Sequence, residues 1–495
     1  RTSPGFVEGY AAIAKSGWVG ISATPAHGGM GLPLALNTAM HDMMCGACIS
    51  LNLCPLLSQG QIEALEHHAS EELQNLYLPK LISGEWTGTM NLTEPQAGSD
   101  VGALTSKAEL QVDGTYKISG QKIFITWGEH DVAENICHLV LARLPNGKPG
   151  PKGISLFLVP KFIPNADGSL GARNDLRCVS LENKLGIHGS PTAVMEFSKA
   201  TGWLVGQEHN GMACMFTMMN NARLAVGMQG VGVAEGAYQH ALAYAMDRKQ
   251  GRAMIAEGTG SIIDHADVRR MLAQMKSEIF AARSIGVACA VAIDMARATG
   301  DVDWLARAAF LTPIAKSFGS DTGVAVADLG VQIHGGMGFV EETAAAQYLR
   351  DVRITPIYEG TNGIQAMDLV ARKMMDGGVA AFRIMDDIAD LASTSNSELA
   401  DAVLASVTEL RATTEWLLNH DLNDRFAGAV AYQKAFARVL GGYFHLISAM
   451  TGDGKRIRIA NFYINSLLPE YTALCLQARV GSENLYALEL DDFAA

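Results

Sequence analysis

The chain is poor in the features that direct a protein to a nucleic acid, a membrane or an oxidising compartment. It has no Lys/Arg-rich run, and 51 acidic against 38 basic residues leave a net charge of −13, so neither nucleic acid nor an anionic membrane is expected as a partner. Eight cysteines in 495 residues are too sparse for a disulfide scaffold, which fits a reducing, cytoplasmic setting. Apolar stretches are short: Ile285 to Ile293 is bounded by Ser284 and Asp294, and no segment is expected to span a bilayer. No charged-then-apolar leader opens the sequence, which begins at Arg1 without a methionine, so its natural start is expected further upstream. The last residues, Asp492-Phe493-Ala494-Ala495, are not a Ser-Lys-Leu address. The motifs GxGxxG, GxxxxGK[ST] and GxSxG are absent, which removes sequence support for a Rossmann dehydrogenase, a P-loop NTPase and an elbow-type hydrolase. Cys45-Gly46-Ala47-Cys48, near His41 and Cys54, has no second Cys/His pair at ligand spacing, so packed thiols are expected and no metal site.

What is present is a change of texture along the chain. Its length suits roughly three domain-sized units. Residues 1–86 read as helices joined by Gly-rich turns: Phe6 to Lys15, Leu34 to Cys54 and Gln61 to Leu78. From 87 to 205 come short apolar runs broken by Ser119-Gly120, Asn146-Gly147 and Asp167-Gly168, the pattern of an antiparallel β-domain. From 206 to 375 helices return; Val268, Leu272, Met275, Ile279, Ala282, Gly286, Cys289 and Ile293 recur in steps of four and three, the stripe of a bundle helix. Residues 376–495 read as an additional helical domain, punctuated by Ser393-Thr394-Ser395-Asn396-Ser397 and Thr451-Gly452-Asp453-Gly454. The fold class is therefore α+β, mainly α: helical domain, antiparallel β-domain, helical bundle and helical extension.

The residues with chemistry lie in a few stretches. In Arg353-Ile354-Thr355-Pro356-Ile357-Tyr358-Glu359-Gly360-Thr361-Asn362-Gly363-Ile364-Gln365, Pro356 disfavours helix before it and Thr361 can cap a helix running through Met367 and Val370. Glu359 is thereby set at the mouth of a helix, where apolar flanks at Ile357 and Ile364 would desolvate its carboxyl, raise its pKa and make it a better base. Met90-Asn91-Leu92-Thr93-Glu94-Pro95-Gln96-Ala97-Gly98-Ser99-Asp100 ends a strand in a turn that exposes backbone amides to the edge of a planar ring. Regular alternation puts the Phe124 ring and the Thr126 hydroxyl on one side of a strand. Gln332-Ile333-His334-Gly335-Gly336-Met337-Gly338 allows close backbone approach to a ligand.

These strings together resemble the signatures of the flavin-dependent acyl-CoA dehydrogenases, over the whole chain and best in 90–126 and 332–365. The resemblance implies that Glu359 removes the α-proton of an acyl thioester while a β-hydride passes to FAD. It implies FAD contacts at Met90, Leu92, Thr93, Phe124, Thr126, Gln332, Gly335, Gly336 and Thr361, with Arg248 crossing a homodimer interface to the FAD pyrophosphate. It implies acyl-CoA contacts at Ser99, Asn220, Arg223, Tyr358 and Gly360. Phe124 stands where relatives usually carry Trp, and Asn220 where they carry Asp, so the indole donor and that carboxylate are lost.

The extension and the string Lys184-Leu185-Gly186-Ile187-His188-Gly189-Ser190 look most like the large subgroup acting on 3-methylmercaptopropionyl-CoA, and so imply dimethylsulfoniopropionate catabolism. The expected reaction is 2,3-dehydrogenation of a short or medium acyl-CoA by a homodimer or larger homo-oligomer, with electron-transfer flavoprotein as acceptor. The rivals are an acyl-CoA oxidase, which would return electrons to oxygen, and a nucleic-acid-associated relative with vestigial flavin chemistry, against which the acidic balance speaks.

Overall fold

In the computed structural model, which describes residues 1–494, helices occupy both ends of the chain and strands its middle. Helices α1 (Phe6–Lys15), α2 (Leu34–His68) and α3 (Glu71–Ser83) precede β1 (Trp86–Asn91), β2 (Lys107–Leu110), β3 (Tyr116–Thr126), β4 (Asn135–Arg143), β5 (Ile154–Pro160), β6 (Phe162–Pro164), β7 (Leu170–Arg173), β8 (Leu176–Leu181) and β9 (Thr192–Val205). Then come α4 (Gly211–Asp247), α5 (Ala266–Thr299), α6 (Val302–His334), α7 (Ala345–Val352), α8 (Asn362–Val370), α9 (Val379–Ser393), α10 (Glu398–Leu418), α11 (Leu422–Met450), α12 (Gly454–Phe462) and α13 (Glu470–Ala478). The chain gathers into two compact units, Arg1–Asn37 with Cys48–Ala222, and Thr38–Ala47 with the residues from Arg223 onward.

In the first unit the strands run β1-β4-β2-β3-β9-β5, and β4 also pairs with β5, so the ladder closes on itself. The pairings β2–β3, β3–β9, β9–β5 and β4–β5 are antiparallel as expected, whereas β1 runs parallel to β4 and makes the sheet mixed. Ile118, Ile125, Val140, Phe157, Met195 and Phe197 fill its interior, each such side chain stabilising the fold by about 1.5–3 kcal/mol.

The runs expected as two strands, Tyr116–Ile118 and Gln121–Thr126, are one strand: Ser119-Gly120 is an irregularity in the ladder and not a turn. Gly120 has φ 148° there, and a side chain would collide with Ser106. Strands β2, β7 and β8 lack an apolar run because most of their residues face water, which is why periodicity does not reveal them.

Two expectations about helices are corrected. The break expected between Cys54 and Gln61 is absent: α2 continues through Pro55 and departs from helical geometry at Cys48 instead (φ −163°, ψ 94°). The next boundary lies at Ser70, whose hydroxyl accepts the Leu73 N–H at 3.4 Å. Helices α2 and α5 are also long and apolar enough, by length and composition alone, to cross a membrane. Short polar interruptions hide this when runs are counted; 67% of the most apolar stretch of α2, and 44% of that of α5, is buried within the protein.

In the second unit the stripe on α5 buries Leu272, Met275, Ile279, Ala282 and Cys289. Helices α4 and α6 cross at backbone contact: a Cβ added to Gly230 would strike the Gly319 carbonyl, and one added to Gly319 would strike that of Gly227. Only glycine permits this approach, and it fixes the neighbouring turns of both helices. The extension packs its long helix α11 against α5, α6 and α8, and Gln433 donates to the Pro313 carbonyl at 3.0 Å.

Candidate active site

The turn before α8 is the most unusual piece of backbone in the second unit. Glu359 has φ 56° and Gly360 φ 82°, so a residue with a side chain occupies the left-handed region beside a glycine. Such a pose costs about 1–3 kcal/mol and persists only where the surroundings impose it. Thr361 caps α8 as expected, its Oγ accepting the Ile364 N–H at 3.3 Å. Gln365, buried on α8, reaches back to the Glu359 carbonyl at 3.1 Å. The Tyr358 hydroxyl donates to Gln229 Oε1 on α4.

The Glu359 carboxylate makes no hydrogen bond among the described residues. Burial pushes its pKa up to about 7, while the charges of Arg223 and Lys316 pull it the other way. The desolvation expected from the sequence is therefore present, but not from the Ile357 flank, which is 48% exposed.

Arg223 is 7% exposed, lies 3.9 Å from Asp368 on α8, and its Nε has no hydrogen-bond partner among the described residues. Arg372 holds the other Asp368 oxygen at 2.6 Å. Lys316 is fully buried and donates to the Gly360 carbonyl and to Asn362 Oδ1, both at 2.8 Å. Sequence reasoning missed Lys316. The available signal was a lone cation inside the apolar run Phe310 to Phe318 of a helix.

Elsewhere in this unit Arg248 is exposed and its guanidinium has no ion-pair partner among the described residues. Gln332, Gly335 and Gly336 are exposed, Gly335 has φ 60°, and a Cβ at either glycine would meet nothing within 4 Å. A free fork of donors and a bare glycine turn suit a diphosphate.

The first unit holds the remaining candidates. Phe124 is 60% exposed with φ 60°, in a register shift between Lys122 and Ile125. Regular alternation is therefore broken, and a bulge, not strand periodicity, aims this ring. Thr126 is partly exposed and its hydroxyl makes no hydrogen bond among the described residues. Behind them Lys122, fully buried, donates to the Leu92 carbonyl at 3.1 Å and pairs with Glu94 at 2.8 Å. Glu94 also accepts from Ser106 Oγ at 2.6 Å and from the Thr105 N–H at 2.7 Å. This clamp fixes the turn carrying Leu92, which is buried, and Met90 and Thr93, which are partly exposed; Ser99 and Asn220 are exposed. An exposed aromatic ring and, two residues on, a hydroxyl with no partner among the described residues are groups that a planar, hydrogen-bonding ring such as a flavin could use. Among the described residues no group of His, Cys, Asp and Glu could hold a metal.

A desolvated glutamate on a strained turn is the chemistry of a general base, and the comparisons give its class, an oxidoreductase acting on acyl-CoA. Four family models match in chain order: the N-terminal domain of acyl-CoA dehydrogenase over 4–85, its middle domain over 89–200, its C-terminal domain over 209–375, and an acetyl-CoA dehydrogenase C-terminal-like domain over 381–489.

The chain is 43% identical over 501 aligned residues to 3-methylmercaptopropionyl-CoA dehydrogenase of Ruegeria pomeroyi, covering 98% of this chain and 83% of that one. It is 37% identical to a butyryl-CoA dehydrogenase of Syntrophomonas wolfei, covering 88% and 76%. A solved acyl-CoA dehydrogenase from Bacillus anthracis, complexed with FAD, has the same fold, with a TM-score of 0.79 at 22% identity over 99% of this chain and 84% of that one. The chain belongs to the acyl-CoA dehydrogenase family, as its motifs lead one to expect.

Proposed function

We propose that the protein catalyses FAD-dependent 2,3-dehydrogenation of an acyl-CoA to the trans-2-enoyl-CoA, acting on a short or medium acyl chain, with 3-methylmercaptopropionyl-CoA the first candidate. The observation that carries this reading is the Glu359 carboxyl: free of hydrogen bonds among the described residues, pushed up to about 7 by burial, and faced by two cations. A base of matched pKa typically contributes about 10²–10⁴ in rate to removal of a carbon-bound proton.

Glu359 takes the α-proton at its carboxylate. Its own backbone N–H makes no hydrogen bond among the described residues and can donate to the thioester oxygen as negative charge develops there. Arg223 and Lys316 favour the ionised base, and Gln365 holds the carbonyl of the same residue. Bound FAD supplies the hydride acceptor. Met90, Leu92, Thr93, Phe124 and Thr126 would hold its ring, and Arg248, Gln332, Gly335, Gly336 and Thr361 the rest of the dinucleotide. Ser99, Asn220, Arg223, Tyr358 and Gly360 would orient the thioester.

Dimerisation, so that Arg248 serves a partner's FAD, and electron-transfer flavoprotein as acceptor belong to the same reading. The relative named for the sulfur-containing thioester supports that substrate, and the butyryl relative supports a short straight chain. The test is anaerobic mixing of the flavin-loaded protein with 3-methylmercaptopropionyl-, butyryl-, octanoyl- and palmitoyl-CoA, tracking flavin absorbance and the enoyl product. Fastest bleaching by one of the first two is expected; a preference for palmitoyl-CoA removes the substrate assignment, and rapid peroxide formation in air favours an oxidase.

A further inference from the structure

The turn that carries Glu359 is closed by the Asn362 N–H on the Pro356 carbonyl and by the Gln365 amide on the Glu359 carbonyl, both at 3.1 Å. Its left-handed residue is strained, Gly360 adds freedom, and the cap at Thr361 secures only the start of α8. A further grip, on the residues that follow Glu359, comes from α6. Lys316, with no exposed surface, places two of its three N–H groups on the Gly360 carbonyl and on Asn362 Oδ1, each at 2.8 Å. Asn362 is in turn held by its Nδ2, which donates to Asp321 Oδ1 at 2.7 Å and to Ser320 Oγ at 3.0 Å. Gly360 and Asn362 lie one and three residues after the carboxylate, so the lysine spans the turn. A buried ammonium costs several kcal/mol of desolvation and is tolerated only when it is paired and hydrogen-bonded. An apolar residue would fill this helix position more easily if packing were its only purpose.

We propose that Lys316 is the positioning residue of the base loop: it grips the Gly360 carbonyl and the Asn362 side chain to hold Glu359 in its left-handed pose, and presents a fixed positive charge to that carboxylate. This rests on the reading of Glu359 as the base. Arg223 of α4 and Lys316 of α6 act on Glu359, while Asp368 of α8 and Arg372 just beyond its end act on Arg223. Asp321 of α6, also faced by Lys434 of α11 and by Arg353, acts on Lys316. Burial pushes the Lys316 ammonium down to about 8, with Glu359 the first of the charges that oppose it. Glu359 is thus the first of the charges that keep Lys316 protonated, while Gly360 and Asn362 hold it in place.

The test uses the full-length, flavin-loaded protein and two variants, Lys316→Met and Asn362→Ala. The Glu359 carboxyl is titrated by NMR on protein labelled with ¹³C at the glutamate carboxyl, its signal assigned by loss in Glu359→Gln. The rate of anaerobic flavin reduction by butyryl-CoA is measured against pH, with thioester affinity measured separately. Lys316→Met should raise both the carboxyl titration and the acid limb of the rate by about one unit, and lower the plateau rate about tenfold with less than about a twofold change in affinity.

Asn362→Ala keeps the charge and breaks the bridge, so its plateau should fall while its titration stays near the parent's. An unmoved titration in Lys316→Met overturns the electrostatic role, and a parental plateau in Asn362→Ala overturns the grip. If the titration moves but the parent protein is bleached by no saturated thioester, the base assignment fails and the hold of Lys316 on this carboxyl stands.

Discussion

Glu359 combines two local tensions, a left-handed backbone and a desolvated carboxyl. With its pKa at about 7, the carboxyl loses its proton as pH rises through neutrality, so the base form grows with pH. Flavin reduction by a saturated thioester should therefore rise through about pH 7 and level off above it, when monitored by stopped-flow absorbance. At Phe124 the exposed ring should hold flavin by stacking: Phe124→Ala should weaken FAD binding by about 1 kcal/mol or more, read from the dissociation constant by fluorescence.

At this scale the sequence was informative where chemistry is local. Thr361 as a cap and Pro356 as a helix stop need only their neighbours. The φ of Glu359, the bulge that aims Phe124 and the reach of Lys316 are imposed by contacts distant in the chain, and no nearby residue encodes them.

Among elements, the α4–α6 crossing sets Arg223 and Lys316 around one carboxylate. Gly230→Ala should drive a Cβ into the Gly319 carbonyl and destabilise the protein by about 1–3 kcal/mol, seen as a lower midpoint of thermal unfolding. A second device is the Lys122–Glu94 clamp. Burial pushes the Glu94 carboxyl up, but Lys122 and the Ser106 hydroxyl outweigh it and hold the group at about 2. Burial also pushes Lys122 down to about 8, against the pull of Glu94. The dense hydrogen bonding of Glu94 keeps the pair intact and ionised.

Lys122→Met should leave Glu94 buried without its cation and cost about 3–5 kcal/mol, measured by urea unfolding, with partial recovery in the double variant Lys122→Met/Glu94→Gln. The stripe of α5 could be read from spacing, and the breaks before α10 and α12 from their Ser- and Gly-containing separators; that Ser397 and Asp453 cap these helices is seen in the structure. The close α4–α6 approach and the mostly exposed strands could not, because pairing in space leaves no periodic mark.

Across the whole molecule, the extension is tied to the helices around Glu359. Helix α11 packs on α8 and α6, Gln433 bonds to Pro313, and Arg438 joins Glu278 of α5 at 2.6 Å. A chain ended at Gly378 should expose these faces, and is expected to lose soluble yield and its cooperative thermal transition.

The order of helical, β and helical segments was legible because periodicity changes abruptly near residues 87 and 206. The membrane-length apolarity of α2 and α5 was not, because their apolar residues are spaced for burial between helices.

The central claim is that one desolvated glutamate deprotonates an acyl thioester. Its most direct test is anaerobic mixing of saturated acyl-CoA with the flavin-loaded parent protein and with Glu359→Gln. Bleaching is expected in the parent, and a rate about 10²–10⁴ lower in the variant, with flavin retained in both. Equal bleaching in the two proteins, or a parent that binds no flavin, would contradict it.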